Sequence, residues 1–194
     1  GTGTRPEIEV FSGTENLNDD DNSPQDFGLI NLKSSSKKTF TIKNKGKGLL
    51  KNLTISKKGS NPSRFTIDNA NFGGAIAEGH STSFTVQYTP DGIGGDDAIL
   101  VIGSNDLDEG EFEINVKGKG TNPVLQVKDG DSIIEENDSI AFGNTTVGAY
   151  LSKTFTIENT GSTALTLGSG SDQAVTVKKT GNDTASFEIL ALSP

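Results

Sequence analysis

A nine-residue motif occurs twice in this chain, 115 positions apart, and this repeat limits what the chain can fold into. The first copy is Lys38–Gly46 (KTFTIKNKG) and the second is Lys153–Gly161 (KTFTIENTG). The Phe-Gly pair that begins at Phe27 returns at Phe142 with the same offset. A period of this size corresponds to a whole domain rather than to one turn of a solenoid. The chain is therefore predicted to contain tandem domains, each with its own core.

The repeat predicts a complete domain over residues 5–120 and a second copy over residues 123–194, joined by a short junction at residues 118–122. Phe65 corresponds to Phe187 at an offset of 122, so the second copy carries about seven extra residues. The second copy is expected to hold about the first five strands and to be truncated at its C-terminus. We expect the natural chain to continue beyond Pro194; a neighbouring chain or a compact rearrangement are the alternatives for covering the exposed core.

Hydrophobic residues in the first copy alternate with polar ones at a period of two, which is typical of half-buried β-strands. The alternating positions are Phe40 and Ile42, then Phe84, Val86 and Tyr88, then Phe112, Ile114 and Val116. Residues 98–102 form a continuous apolar run, as expected of a strand that is buried on both faces. Seven or more short strands separated by Gly, Pro and Asn turns predict an all-β, two-sheet sandwich with no amphipathic helix.

Charge and composition exclude several classes of function. The formal net charge is −9, which opposes binding to the phosphates of nucleic acids. No apolar run approaches the roughly 18 residues that a membrane helix needs, so no membrane insertion is predicted. The chain has no Cys, which excludes disulfides, thiolate metal sites and cysteine nucleophiles. Since cysteine-free domains are common on bacterial surfaces, this composition favours an exported bacterial protein.

Several short motifs of the first copy, in this order, resemble the bacterial choice-of-anchor D repeats, which are related to the ASPM–SPD-2–Hydin (ASH) immunoglobulin-like domains. They are Pro6–Val10, Phe27-Gly28, Phe40–Gly46, Gly79–Ser81 before Phe84–Val86, Tyr88–Pro90, Ser104–Asp106 and Gly118–Gly120. The resemblance implies immunoglobulin-like β-sandwiches in large exported or anchored proteins, where they act as spacers or adhesive stalks. Eukaryotic relatives are intracellular scaffolds. The family brings no catalytic residues and no cofactor.

Catalytic candidates are few. His80 is the only histidine, and it lies in a turn just before a strand, where a solvent-exposed role outweighs a Ser-His-Asp triad. Paired carboxylates across a cleft would serve glycoside hydrolysis, yet the acidic residues cluster in turns. We therefore predict that the chain is not an enzyme.

Acidic loops offer one candidate metal site. Asp19, Asp20 and Asp21 are consecutive and could supply oxygen ligands to calcium, although the spaced pattern of a calcium-binding loop is missing. Solvated loop charge is the alternative. Asn105-Asp106 is predicted to form a local Asx-type turn between two strands.

A run of nine lysines without any acidic residue extends from Lys33 to Lys58. The interpretations are protection of exposed strand edges, docking on an acidic face of a neighbouring repeat, or a patch for polyanions such as acidic polysaccharides. The patch would be centred on Lys43, Lys45 and Lys47.

The sequence favours a non-catalytic structural or adhesive module of a larger exported or surface-anchored bacterial protein, located outside the cell or at its surface. Its expected partners are neighbouring repeats of the same chain, with a polysaccharide or a surface protein as further candidates. The alternatives are a carbohydrate-binding accessory module of an extracellular enzyme and an intracellular protein-binding scaffold. Trp is absent and only two Tyr occur, which weakens sugar stacking.

Overall fold

The computed structural model of the chain describes residues 4–68, 74–167 and 174–190. The chain divides into two compact units, Gly1–Asn122 (unit one) and Pro123–Pro194 (unit two). Among the described residues the only helical segments are two three-residue 3₁₀ turns, η1 (Pro62–Arg64) and η2 (Thr184–Ser186). None of the described helical segments has the length and hydropathy needed to span a bilayer.

Unit one is built from eleven β-strands within its described residues, and most of them show the alternation of buried and exposed positions that the sequence predicts. The strands are β1 (Ile8–Ser12), β2 (Glu15–Leu17), β3 (Gln25–Asn31), β4 (Ser36–Asn44), β5 (Leu50–Lys51), β6 (Thr54–Lys58), β7 (Phe65–Asp68), β8 (Ala75–Ile76), β9 (Ser81–Tyr88), β10 (Gly94–Gly103) and β11 (Glu111–Thr121).

Two sheets form the layers of unit one. The five-stranded sheet has the order β2-β1-β4-β9-β7, and the four-stranded sheet has the order β3-β11-β10-β6. All pairs are antiparallel except β3 with β11, which is parallel. The inward residues of both sheets form one core of buried side chains. The predicted all-β sandwich is confirmed.

Aromatic rings fill the centre of this core. Phe40 and Phe84, from neighbouring strands β4 and β9, stack with their centroids 5.4 Å apart. Tyr88 stacks on Phe65 at 4.9 Å, and Phe27 meets Phe65 edge-on at 5.5 Å. Because every one of these side chains is at most 4% exposed, they supply a large share of the buried apolar area of unit one.

The glycines predicted to form a junction at residues 118–122 instead belong to β11, which continues to Thr121. Gly118 is buried, and a Cβ atom there would overlap the ring of Tyr88. A Cβ on Gly120 would overlap the carbonyl oxygen of Gly92. These glycines therefore permit close packing against a paired strand, which sequence alone does not distinguish from a flexible linker.

Unit two contains five strands within its described residues: β12 (Leu125–Asp129), β13 (Ser132–Ile134), β14 (Phe155–Asn159), β15 (Thr166–Leu167) and β16 (Ala174–Val175). They form one three-stranded sheet, β13-β12-β14, and a separate parallel pair, β15-β16.

The three-stranded sheet of unit two repeats part of unit one residue by residue. Val10 of β1 pairs with Ile42, and Val127 of β12 pairs with Ile157, at offsets of 117 and 115 positions. Val10 also pairs with Leu17 of β2, as Val127 pairs with Ile134 of β13. Strands β12, β13 and β14 are thus the counterparts of β1, β2 and β4.

Five strands are described in unit two, but the counterparts of β3, β6 and β7 are not among them. These counterparts are residues 140–146, 176–180 and 187–190. In unit one β3 pairs with β11, β6 with β10 and β7 with β9. The described residues of unit two contain no counterparts of those three partner strands.

Candidate functional site

Asn44, the last residue of β4, is fully buried and makes four hydrogen bonds. Its Oδ1 accepts from the N–H groups of Glu7 (3.2 Å) and Gly46 (3.0 Å). Its Nδ2 donates to the carbonyls of Gly48 (2.7 Å) and Ile76 (2.9 Å). Every donor and acceptor of the amide is used inside the domain, so Asn44 is a structural group.

The loop between β10 and β11 ties distant strands together. Asp106 is only 6% exposed, and its Oδ2 accepts from the N–H of Ile8 at 2.8 Å. Asn105 accepts from the N–H of Lys51 at 2.6 Å and donates to the carbonyl of Leu49 at 3.2 Å. The predicted local Asx turn is therefore wrong: both side chains bond backbone groups that are far away in sequence.

One group of three acidic side chains converges among the described residues. Carboxylate oxygens of Glu7, Asp106 and Asp108 all lie within 4.8 Å of one another. Burial raises the pKa of the nearby Glu109, and the charges of Asp106 and Asp19 raise it further. This is the set that would supply oxygen ligands to a hard cation. Asp106 is already bonded to the backbone, and such acidic groups commonly occur without an ion.

The structure places Asp19, Asp20 and Asp21 in the loop between β2 and β3, where they do not form a converging set of carboxylates. Asp19 Oδ1 accepts from the N–H of Glu113 at 2.6 Å, and Asn115 donates to the carbonyl of Asp21 at 2.8 Å. The loop thus covers the edge of β11 that β3 does not reach. Calcium binding at these three residues stays a prediction.

The fold distributes the lysine run over both sheets. Lys43 is half-buried on the outer face of β4 and lies opposite Glu9 of β1. Lys45 forms an ion pair with Glu9 (3.0 Å), and this hydrogen bond raises the pKa of Lys45. Lys47 is exposed. On β6 of the other sheet, Lys58 forms an ion pair with Glu113.

His80 and Tyr88 make local structural contacts. The Nδ1 of the exposed His80 donates to the carbonyl of Glu78 at 3.0 Å. Tyr88 donates its hydroxyl to Asp96 at 2.7 Å. Burial, followed by this hydrogen bond, raises the pKa of Tyr88 well above its ordinary value of 10.0. Arg64 forms ion pairs with Asp91 and, at 3.9 Å, with Asp96.

A cavity of about 510 Å³ lies on the four-stranded sheet of unit one. It is lined by backbone glycines and by opposite charges, among them Asp26, Asp97, Lys117 and Lys119. Lys117 and Asp26 form an ion pair across strands at 3.5 Å. No aromatic side chain is among the lining residues, so the cavity has no platform on which a sugar ring would stack.

The sequence model of one family matches residues 19–119, more than half of the chain; its description is HYDIN/CFA65/VesB-like, Ig-like domain. The chain belongs to this family. The match supports the immunoglobulin-like, ASH-type part of the resemblance and does not single out the choice-of-anchor D repeats. Curated proteins gave no match to the sequence.

Solved structures that match part of this chain include a protein of unknown function from Porphyromonas gingivalis W83, with 20% identity and a TM-score of 0.46, covering 59% of this chain and 47% of that one. The ASH/PapD-like domain 7 of human CEP192 has 14% identity and a TM-score of 0.40, with coverages of 58% and 82%. The secreted serine protease VesC from Vibrio cholerae has 18% identity and a TM-score of 0.38, with coverages of 52% and 22%. The chain thus spans about half of the first protein and less than a quarter of VesC.

Sequence reasoning missed the structural roles of Asn44 and of the Tyr88–Asp96 pair. The repeat contains a signal for the first, because Asn44 and Asn159 are identical at the end of an alternating strand. A polar residue kept at an inward position of both copies indicates a buried hydrogen-bonding role. No comparable pattern marks Asp96, whose partner is decided by the packing of β9 against β10.

Proposed function

We propose that this chain is a non-catalytic structural and adhesive module of a larger exported or surface-anchored protein. The observation that supports it is the use of the polar groups that were candidates for chemistry. Asn44, Asp106, Asp19 and His80 each bond backbone groups of unit one itself. Groups engaged in this way hold a sandwich together rather than act on a substrate. Membership of an Ig-like domain family agrees with this role.

The exported or surface location and the neighbouring repeats as partners belong to the same proposal. They are supported by the tandem arrangement of two related units and by the absence of Cys. A short connection supports a spacer role, because β11 ends at Thr121 and β12 begins at Leu125. Connections of this length restrict the separation of consecutive domains.

The adhesive part of the proposal is assigned to unit one, at Lys43, Lys45 and Lys47. The corresponding positions of unit two are Glu158, Thr160 and Ser162, so the shared strand frame does not require lysine there. The expected ligand class is an acidic polysaccharide, because a cluster of ammonium groups favours polyanions.

The test is a binding screen of the whole chain against neutral and acidic polysaccharides at two salt concentrations, with calcium and with a chelator. Saturable binding to the acidic polymers that weakens at high salt is expected. A dependence on calcium would point instead to Asp19–Asp21. The absence of binding under every condition would remove the adhesive role and leave the spacer role.

Charge-reversal variants assign the binding to a surface. The test variant carries Lys43→Glu, Lys45→Glu and Lys47→Glu, and the matched control carries Lys58→Glu, Lys117→Glu and Lys119→Glu on the other sheet. Both change the net charge equally, and both disrupt ion pairs. Loss of binding in the test variant alone supports the patch, whereas equal loss in both indicates a response to net charge.

A further inference from the structure

Phe11 is an aromatic side chain on the solvent side of unit one. Its neighbour Val10 pairs with Ile42, and both are fully buried in the core. Because successive side chains of a strand point to opposite faces, Phe11 lies on the outer face of the five-stranded sheet. It is half-buried there. The ring therefore provides a flat apolar surface beside β4, the strand that carries Lys43.

Polar side chains flank this ring on both sides. In the register of the sheet, Phe11 lies opposite Asn16 of β2 and opposite Thr41 of β4. Thr41 in turn lies opposite Ser83 of β9. Residues directly opposite each other on neighbouring strands share a face, with Cβ atoms about 5 Å apart. An aromatic ring with amide and hydroxyl groups beside it suits a sugar, whose C–H face packs on the ring and whose hydroxyl groups form hydrogen bonds.

Unit two shows that side chains at the positions of Phe11 and Lys43 reach each other. The equivalent residues are Lys128 and Glu158, at offsets of 117 and 115 positions, and they form an ion pair at 2.7 Å. The strands concerned pair in equivalent registers, β1 with β4 and β12 with β14. One small group that contacts the ring of Phe11 can therefore also contact the ammonium group of Lys43.

The charge of Lys43 is not neutralised as that of Lys128 is. Lys43 forms no ion pair within the described part of the chain. Glu9 lies opposite Lys43, but its carboxylate pairs with Lys45. The surface beside Phe11 is thus complementary to a ligand that carries a negative charge next to an apolar face.

We propose that Phe11 is the sugar-stacking residue of the lysine patch, and that it packs on a uronic-acid unit whose carboxylate pairs with Lys43. This inference rests on the proposed function, because it takes as its ligand the acidic polysaccharide assigned to Lys43, Lys45 and Lys47. It adds the chemistry of the repeating unit, in which the charge is attached directly to a sugar ring. Thr41 donates a hydrogen bond to a hydroxyl group of the same sugar.

The experiment titrates the whole 194-residue chain with polygalacturonate, a polymer of uronic acid, at several salt concentrations. Phe11→Leu keeps an apolar side chain but removes the flat ring, and it is expected to weaken binding about fivefold at every salt concentration. Lys43→Gln is expected to weaken binding mainly at low salt, because it removes an electrostatic contact that salt screens.

Two further variants separate stacking from a general loss of apolar surface. Phe11→Tyr keeps an aromatic ring and is expected to bind more tightly than Phe11→Leu. Leu29→Ala is the matched control, because it removes an apolar side chain that is 53% exposed on β3 of the other sheet. This control is expected to bind as the parent chain does. Thermal unfolding of each variant shows that unit one remains folded.

Three results would overturn the inference, and they bear differently on the proposed function. If Phe11→Leu binds as the parent does while the triple lysine reversal abolishes binding, stacking is excluded and the adhesive role remains. Binding to dextran sulfate but not to polygalacturonate excludes the uronic-acid unit and keeps the lysine patch. If neither polymer binds the parent chain, the inference and the adhesive role both fail.

Discussion

Unit one and unit two share three strands in the same register, β1, β2 and β4 in unit one and β12, β13 and β14 in unit two, yet they differ in the burial of those strands. Asn44 and Asn159 show the similarity, because each accepts from one backbone N–H near the start of its unit and from the N–H of the glycine two positions after it. Ile8 and Leu125 show the difference, since they occupy equivalent positions and are 3% and 48% exposed. Local pairing therefore does not depend on the closed core, whereas burial does.

The comparison also separates two kinds of strand. The counterparts of β1, β2 and β4 form in unit two because they pair with one another. The counterparts of β3, β6 and β7 are not strands, and in unit one these three strands pair with β11, β10 and β9. A strand needs a neighbour for its backbone groups, so strand formation is a property of the pair rather than of a single segment.

The largest difference between the units is expected for truncation of the shared phenylalanine. Phe40→Ala should lower the free energy of unfolding of unit one by about 3 to 5 kcal/mol, because it opens a cavity in a closed core. Phe155→Ala should cost about 1 kcal/mol, since that ring is already 38% exposed. Denaturant unfolding followed by region-resolved hydrogen exchange measures both changes. Equal losses would mean that unit two has a closed core in solution.

A smaller difference is expected for the shared asparagine. Asn44→Ala leaves several buried backbone groups without partners and should cost unit one about 2 to 3 kcal/mol. Asn159 makes three of the four hydrogen bonds, to Val124, Gly161 and Thr163, and is exposed. Its substitution by alanine should therefore cost less than about 1 kcal/mol, because water replaces the lost partner. Chemical denaturation of both variants checks the ranking, which a larger loss for Asn159→Ala would contradict.

The smallest effect concerns tyrosine, which each unit contains once. Tyr88→Phe should cost about 1 kcal/mol below pH 10, because it removes the hydrogen bond to Asp96. The raised pKa of Tyr88 means that the unfolded state loses this proton first. The stabilisation by Tyr88 is thus complete below pH 10 and declines as the pH rises above that value.

Thermal unfolding between pH 8 and pH 11 tests this dependence. The difference in stability between the parent chain and Tyr88→Phe should shrink above pH 10. Tyr150→Phe is the matched control in unit two, where the side chain is 90% exposed, and it should leave the profile unchanged. A constant difference across the whole range would show that Tyr88 keeps the same proton affinity in the folded and unfolded states.

Much of the fold was predictable from local patterns. The alternation around Phe40, Phe84 and Phe112 identified three central strands and their inward faces, all of which are confirmed. The role of Gly118 was not predictable, because its need for a missing Cβ arises only from the ring of Tyr88 on another strand. Sheet topology likewise divides the linear lysine run, because it places Lys43 and Lys58 on different sheets.

The sequence by itself determined the repeat, the strand periodicity and the all-β sandwich, because alternation and turn residues act within a few positions of one another. Only the tertiary structure decided which acidic and amide side chains serve the backbone, as with Asp19 at the edge of β11 and Asp106 at Ile8. It also decided which strands of unit two form. Both outcomes depend on groups more than 90 positions apart or on a partner strand, and no local pattern encodes such contacts.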